Sequence, residues 1–161
     1  MAIYAVAYSS GGSTAVPKEL FQIQASTNSF LRVHAIHVGQ STGDYTGATE
    51  VELCAITVHR GSSLDAAGGS TAVPVNLDAR QTSTATFTTL VNSSSPGSSG
   101  TSAKLVHAGV MATGQPFCWK PEFPVIVGLS ERLQVRMSAP NAAITTNAVV
   151  YVEEIGKNPN A

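Results

Sequence analysis

The chain has 161 residues, 43% of them hydrophobic and 12% charged, with a formal net charge of -1. A single domain of this size can bury a core that hides roughly 70% of the surface its unfolded chain exposes, and the composition excludes disorder, which needs low hydrophobicity and strong self-repulsion. The Lys and Arg are scattered and form no basic run, so no phosphate-neutralising surface and no direct contact with nucleic acid are expected.

Strong helix formers are scarce, Thr, Val, Ser and Gly abound, and no long segment carries an i, i+3, i+4 apolar stripe, which points to an all-β chain. The start, Met1 to Tyr8, has no basic leader and breaks into Ser-Ser-Gly-Gly too soon for a signal peptide or a membrane span. A soluble product made inside the cell, with no membrane partner, is therefore expected.

In chain order, Ile3 to Tyr8 reads as a first short strand, followed by turn formers through Thr14. Glu19 to Gln24 alternates and gives a second strand with one aromatic face. In Phe30 to Val38, strict alternation puts Phe30, Arg32, His34, Ile36 and Val38 on one side, and Leu31, Val33, Ala35 and His37 on the other. Glu50 to Arg60 is apolar on both faces, with Val51, Leu53 and Ala55 against Cys54, Ile56 and Val58, and so predicts a central strand. The chain is less regular through Val73, Val75 and Leu77; Thr84 to Val91 is again β-rich. Lys104 to Met111 is a strand, Gly114 to Pro121 a turn holding the only tryptophan, and Phe123 to Val127 leads into a closing pair. That pair is Glu131 to Met137, with Leu133, Val135 and Met137 facing in and Arg132, Gln134 and Arg136 facing water, and Asn147 to Glu154. Mobile loops are expected near 39–49, 61–72 and 92–103, the last a Ser/Gly/Pro tract.

Eight to ten short strands separated by turn signals fit a single-domain antiparallel β-sandwich over residues 1–161, jelly-roll-like, better than a propeller. Inward side chains worth ~1.5 to 3 kcal/mol each on burial can hold such a core without metal or disulfide. Gly11 to Pro17 recurs letter for letter as Gly68 to Pro74. Two docking loops with equivalent roles would explain the repeat, but a Gly/Ser-rich strand entry stopped by a proline explains it with less.

No residue pattern names a substrate. His34 and His37 are three apart, so on a regular strand they point to opposite faces and cannot share an ion; His59 and His107 have no sequence partners. His34 and Arg32 share a face, which favours pairing with an acid. Asp44, Glu50 and Glu52 lack the spacing of a calcium loop, and no Gly-x-Ser-x-Gly elbow or phosphate-cradling Gly-rich loop is present. Neither metal, cofactor nor enzymatic activity is expected. Cys54 suits a buried free thiol, and the pair Cys54 and Cys118 is expected to stay unbonded. Glu153 and Glu154 read as solubilising, with the meeting of a basic partner as the alternative. Phe117, Trp119 and Phe123 form a polar-aromatic patch with Lys120 and Glu122, which together with Tyr4 and Tyr8 supplies the candidate partner-contacting residues. The alternative for Trp119 is that it plugs an open end of the sandwich.

The stretch Trp119-Lys-Pro-Glu-Phe-Pro-Val-Ile-Val-Gly-Leu-Ser-Glu-Arg-Leu-Gln-Val-Arg-Met137, followed by Val149-Val-Tyr-Val-Glu-Glu154, resembles the ending of small virion proteins of tailed bacteriophages. In those a Trp, a Pro with an acid, a P-x-V run, an L-x-V-R strand and a closing Tyr/Glu-Glu strand follow one another. The chain departs at Gly128-Leu-Ser-Glu131, where the pattern has a Gly-x-Asp turn. The resemblance implies a jelly-roll cement or decoration protein on the capsid exterior of the virion, made in the host bacterial cytoplasm. It implies the major capsid protein as partner and a homo-oligomer, dimer or trimer, with Ala2 to Tyr8 and Asn92 to Ser102 ordering on the shell. A second expectation of another class is a carbohydrate-binding jelly-roll virion protein for host attachment, stacking sugars on Trp119 and Tyr45.

Overall fold

The structure, a computed structural model, describes residues 2–9, 16–41, 53–62, 68–80, 84–95, 103–112, 114–140 and 144–156. The strands among them are β1 (Ala2–Ser9), β2 (Lys18–Gln24), β3 (Ser29–Ser41), β4 (Leu53–Ser62), β5 (Val75–Asn76), β6 (Thr88–Ser93), β7 (Lys104–Ala112), β8 (Phe117–Trp119), β9 (Val125–Val127), β10 (Arg132–Met137) and β11 (Thr145–Gly156). One sheet runs β5-β1-β11-β3-β8, with β9 also on β3; the other runs β6-β2-β10-β4-β7. Each of these pairings is antiparallel. Setting the short β5 and β6 aside and counting β8 and β9 as one position, the order is that of a jelly roll: β1, β11, β3 and β8/β9 face β2, β10, β4 and β7.

The two sheets enclose one core. Tyr4 and Val6 from β1, Ile36 and Val38 from β3 and Val150 and Val152 from β11 meet Phe21, Ile23, Ile56, Val58, Leu133 and Val135 from the opposite sheet. Tyr8 packs edge-on against Phe21 across the sandwich at 5.4 Å. The closing pair is split between sheets: β10 lies at the centre of one and β11 at the centre of the other.

Four sequence expectations change here. First, β3 carries a bulge. Val33 pairs with Val152 and Ala35 with Tyr151, so His34 is an extra residue, and the alternation slips by one. Leu31, Val33, Ile36 and Val38 therefore face the core, while Arg32, His34 and His37 all lie on the outer face. Second, the face of β10 read as wet is covered: Gln134 is fully buried and Arg132 nearly so, with side chains on the same face closing in from both neighbours, Gln22 of β2 and His59 of β4 opposite Gln134. Arg136 meets the buried Glu19 at 3.4 Å and donates to Gln134 Oε1 at 2.9 Å. Third, Phe117–Trp119 is a strand, not part of a turn, pairing with β3 through Ile36, His37 and Val38. Fourth, Gly39–Ser41 continue β3 and Gly61–Ser62 continue β4, so the loops placed there begin later; Gly61 sits at φ 79°, where β10 pairing skips a residue. Downstream of the repeated heptapeptide the two segments differ: Leu20 is buried in β2, and its counterpart Leu77 is exposed after β5. Most of the heptapeptide's first copy lies outside the described residues.

Candidate interaction surfaces

Strand β4 is apolar on both faces, but only one of those faces enters the core. Cys54, Ile56 and Val58 are buried. The other row is open: Leu53 is 64% exposed and Ala55 is exposed as well. Across the ladder to β7, Leu53 pairs with Ala112, Ala55 with Val110, Thr57 with Ala108 and His59 with Leu105, and paired residues share a face. Leu105 and Val110 are themselves 58% and 59% exposed. The outer face of β4 and β7 is thus a continuous apolar patch, rimmed by His59 and Arg136.

The patch ends at a sheet margin. Strand β7 runs nine residues and pairs with β4 on one side; on its other side, among the described residues, only the single bridge Ala112 to Gln115 occurs. It holds no proline, and its one charged residue, Lys104, is at its start. Strand edges of this kind are templates for another chain, and sequences usually blunt them with charges, prolines or bulges; here the blunting is confined to Lys104 and to a bulge at Val106, where Val58 pairs with His107 and His59 with Leu105.

On the other sheet the outer face is polar around Glu153, while Ile3 beside it and Val75 at the β5 margin are exposed apolar residues. Glu153 is 1% exposed; Arg32 Nη1 donates to its Oε2 at 3.2 Å, and His34 Nε2 stands 3.0 Å from the same oxygen. Pairing of Arg32 and His34 with an acid is thus observed. The solubilising role read for Glu153 and Glu154 is overturned, because Glu154 is also engaged: Ser29 Oγ donates to its Oε1 at 2.8 Å, and Thr86 contacts both its oxygens. Next along the same face, Cys118 on β8 lies opposite His37 on β3, with Sγ 3.3 Å from Nδ1. The His37 ring sits edge-on to Tyr151 at 5.9 Å. Cys54 and Cys118 are both free, the first buried and the second exposed.

The candidate contact residues separate by position. Tyr4 is enclosed and packs edge-on against Phe87 at 5.4 Å. Phe117 is 5% exposed and occupies the space above Gly109. Both rings belong to the core. Tyr8 is half-buried, and its hydroxyl shares a hydrogen bond with Thr146 Oγ1 at 3.1 Å. Burial pushes its pKa up to about 12, against a smaller lowering by that bond. Trp119 stacks on His107 with ring centroids 4.7 Å apart and planes at 10°, closing the seam between β8 and β7. Phe123 alone of the five stands clear, at 77% exposure. Tyr45, Asp44, Glu50 and Glu52 lie outside the described residues.

The apolar patch was missed in the sequence because an apolar-on-both-faces strand reads as doubly covered. Its signal is the pairing partner: Leu105, Ala108 and Val110 supply a second apolar row that only the ladder places beside the first. A shallow recess of about 210 Å³ at one end is lined by Gln24, Ser26, Thr27, Thr86, Thr88 and Ser130. No helix among the described residues is long and apolar enough to cross a membrane.

No family model and no curated protein matches this chain. Among solved structures it is similar to a chain of the structure of infectious bursal disease virus Gt strain, at 15% identity and a TM-score of 0.19, covering 98% of this chain. This chain spans about two fifths of that one, 41% of its length.

Proposed function

We propose that the chain is a non-enzymatic structural protein of a virion, a bacteriophage capsid decoration (cement) protein. It binds the outer surface of the major capsid protein shell and stabilises the head against the pressure of packaged DNA. The observation that carries this reading is the apolar face of β4 and β7, built from Leu53, Ala55, Leu105 and Val110 and ending at the margin of its sheet. An exposed apolar patch continuous with an open edge is the signature of a protein contact. The jelly roll is also a fold used by capsid domains, a likeness of architecture and no more than that, and the phage resemblance of Trp119 to Glu154 supplies the choice of partner. Each contact buries about 800 Å² per partner if it is of standard size. A copy that bridges neighbouring capsid subunits gains by effective concentration, so individually weak contacts hold the shell together.

The test is binding to purified heads that lack the chain. Wild-type protein binds saturably and raises the temperature at which the heads release DNA; L105E/V110E folds, but its affinity falls by about 100-fold or more, the loss of two anchors worth ~1.5 kcal/mol each. Heads that hold their DNA equally well with and without the chain would overturn the proposal. Sugar stacking on Trp119 draws no support from the geometry, since His107 already covers one face of that ring.

A further inference from the structure

We propose that Cys118 and His37 are half of a zinc site that a second copy of this chain completes, giving two thiolates and two imidazoles around one ion. The ligand geometry is already set. In a tetrahedral site with Zn–S near 2.3 Å and Zn–N near 2.0 Å, sulfur and nitrogen are separated by about 3.5 Å, and Cys118 Sγ lies 3.3 Å from His37 Nδ1. An ion seated on the solvent side of that pair reaches both atoms with little movement. Both residues are on paired strands, opposite each other in the ladder, and Tyr151 braces the imidazole edge-on, so the ligands are held by the scaffold and not by a loop.

One chain supplies two ligands only: among the described residues no three His, Cys, Asp or Glu side chains converge. Structural zinc takes four. The shortfall is met by symmetry, because Cys118 is exposed on the terminal strand of its sheet, where a two-fold axis brings an identical pair to the same ion. Phe123, 77% exposed, lies in the connection between β8 and β9 at the same margin and offers that second copy an apolar contact beside the metal. On binding, each Cys118 thiol gives up its proton and the two thiolates neutralise the ion's charge; no electron is transferred. This inference is independent of the capsid reading, since it uses the opposite sheet and a second copy of the chain.

The experiment is titration of the purified, metal-free, reduced protein with zinc and with cobalt. Expected are one ion per two chains, a zinc-dependent doubling of mass in light scattering that a chelator reverses, and cobalt spectra with a thiolate charge-transfer band and the strong visible bands of a tetrahedral site. C118S and H37Q each abolish the mass change and the thiolate band, and lower zinc affinity by about 100-fold or more, since changes outside the ligand shell alone cost roughly ten- to hundredfold. H34Q, which alters the neighbouring outer-face histidine, leaves the zinc stoichiometry and the thiolate band unchanged. Cobalt bound without a thiolate band, one ion per single chain, or zinc-driven association that survives in C118S would each overturn the proposal.

Discussion

Glu153 lies directly across the β11–β3 ladder from Arg32, and the bulge at His34 turns a second nitrogen, that ring's Nε2, onto the same carboxylate oxygen. These two side chains compensate one oxygen of a carboxylate that is 1% exposed on the outer face of a sheet, while its Oε1 is buried without a hydrogen-bond partner. Glu153→Gln keeps the shape and removes the charge. The partners are each 39% exposed, which screens the interaction, so the loss is about 1–2 kcal/mol, read as a lower urea midpoint at unchanged slope. An unaltered midpoint would mean that the ion pair contributes nothing to the fold.

Gly109 has no room for a side chain. A Cβ there would sit 2.6 Å from Cε2 of Phe117, a ring that is itself 5% exposed and enclosed by the core. Gly109→Ala should destabilise the protein by about 1–3 kcal/mol through overpacking. Combining it with Phe117→Leu should recover part of the loss, and a double-mutant cycle with no coupling would show that the two positions do not press on one another.

How far such relationships could be read in advance depends on what alternation encodes. Period-two runs locate β1 and β10 closely, because in each the apolar residues two apart, Tyr4 and Val6 or Leu133, Val135 and Met137, are the ones the core covers. The slip at His34 is different. A bulge is a property of two strands, here the mismatch between Val33–Ala35 and Tyr151–Val152, and one strand's alternation does not contain it. Strand β8 was hidden for another reason: it is three residues long, between Pro116 and Pro121, and only its pairing with β3 makes it a strand. The buried polar row of β10, and the exposed apolar row of β4, both reverse the rule that charge faces water and hydrocarbon faces in. Contacts from distant chain segments decide those cases, as when Glu19 meets Arg136, and the same holds for the meeting of Cys118 with His37.

The acid side of the stability profile should report His59. Burial, and secondarily the Arg136 charge, lower its pKa below the usual imidazole value. The folded state therefore prefers neutral His59 more than the unfolded state does. The corresponding stability is present above the unfolded pKa near ~6.5 and is lost as pH falls through the depressed folded value. His59→Gln should flatten the decline of the urea midpoint between about pH 7 and pH 5, and an identical decline in the variant would assign it to other groups.

The alkaline side belongs to Tyr8. Its pKa, raised to about 12 by burial, lies above the unfolded value near ~10, so the folded state disfavours the phenolate. The stability this represents is fully present below the unfolded pKa and drains away as pH climbs from about 10 to 12, by at most about 3 kcal/mol. Tyr8→Phe retains the edge-on packing on Phe21 and removes the ionisable hydroxyl, together with its bond to Thr146. At neutral pH the variant should lose about 1 kcal/mol for that hydrogen bond, yet above pH 10 its unfolding curve should fall less steeply than that of wild type. Ultraviolet titration supplies a second measure: in wild type one of the four tyrosines should ionise late, and that late step should vanish in Tyr8→Phe. A late tyrosine that persists in the variant would show that Tyr8 is not the protected phenol.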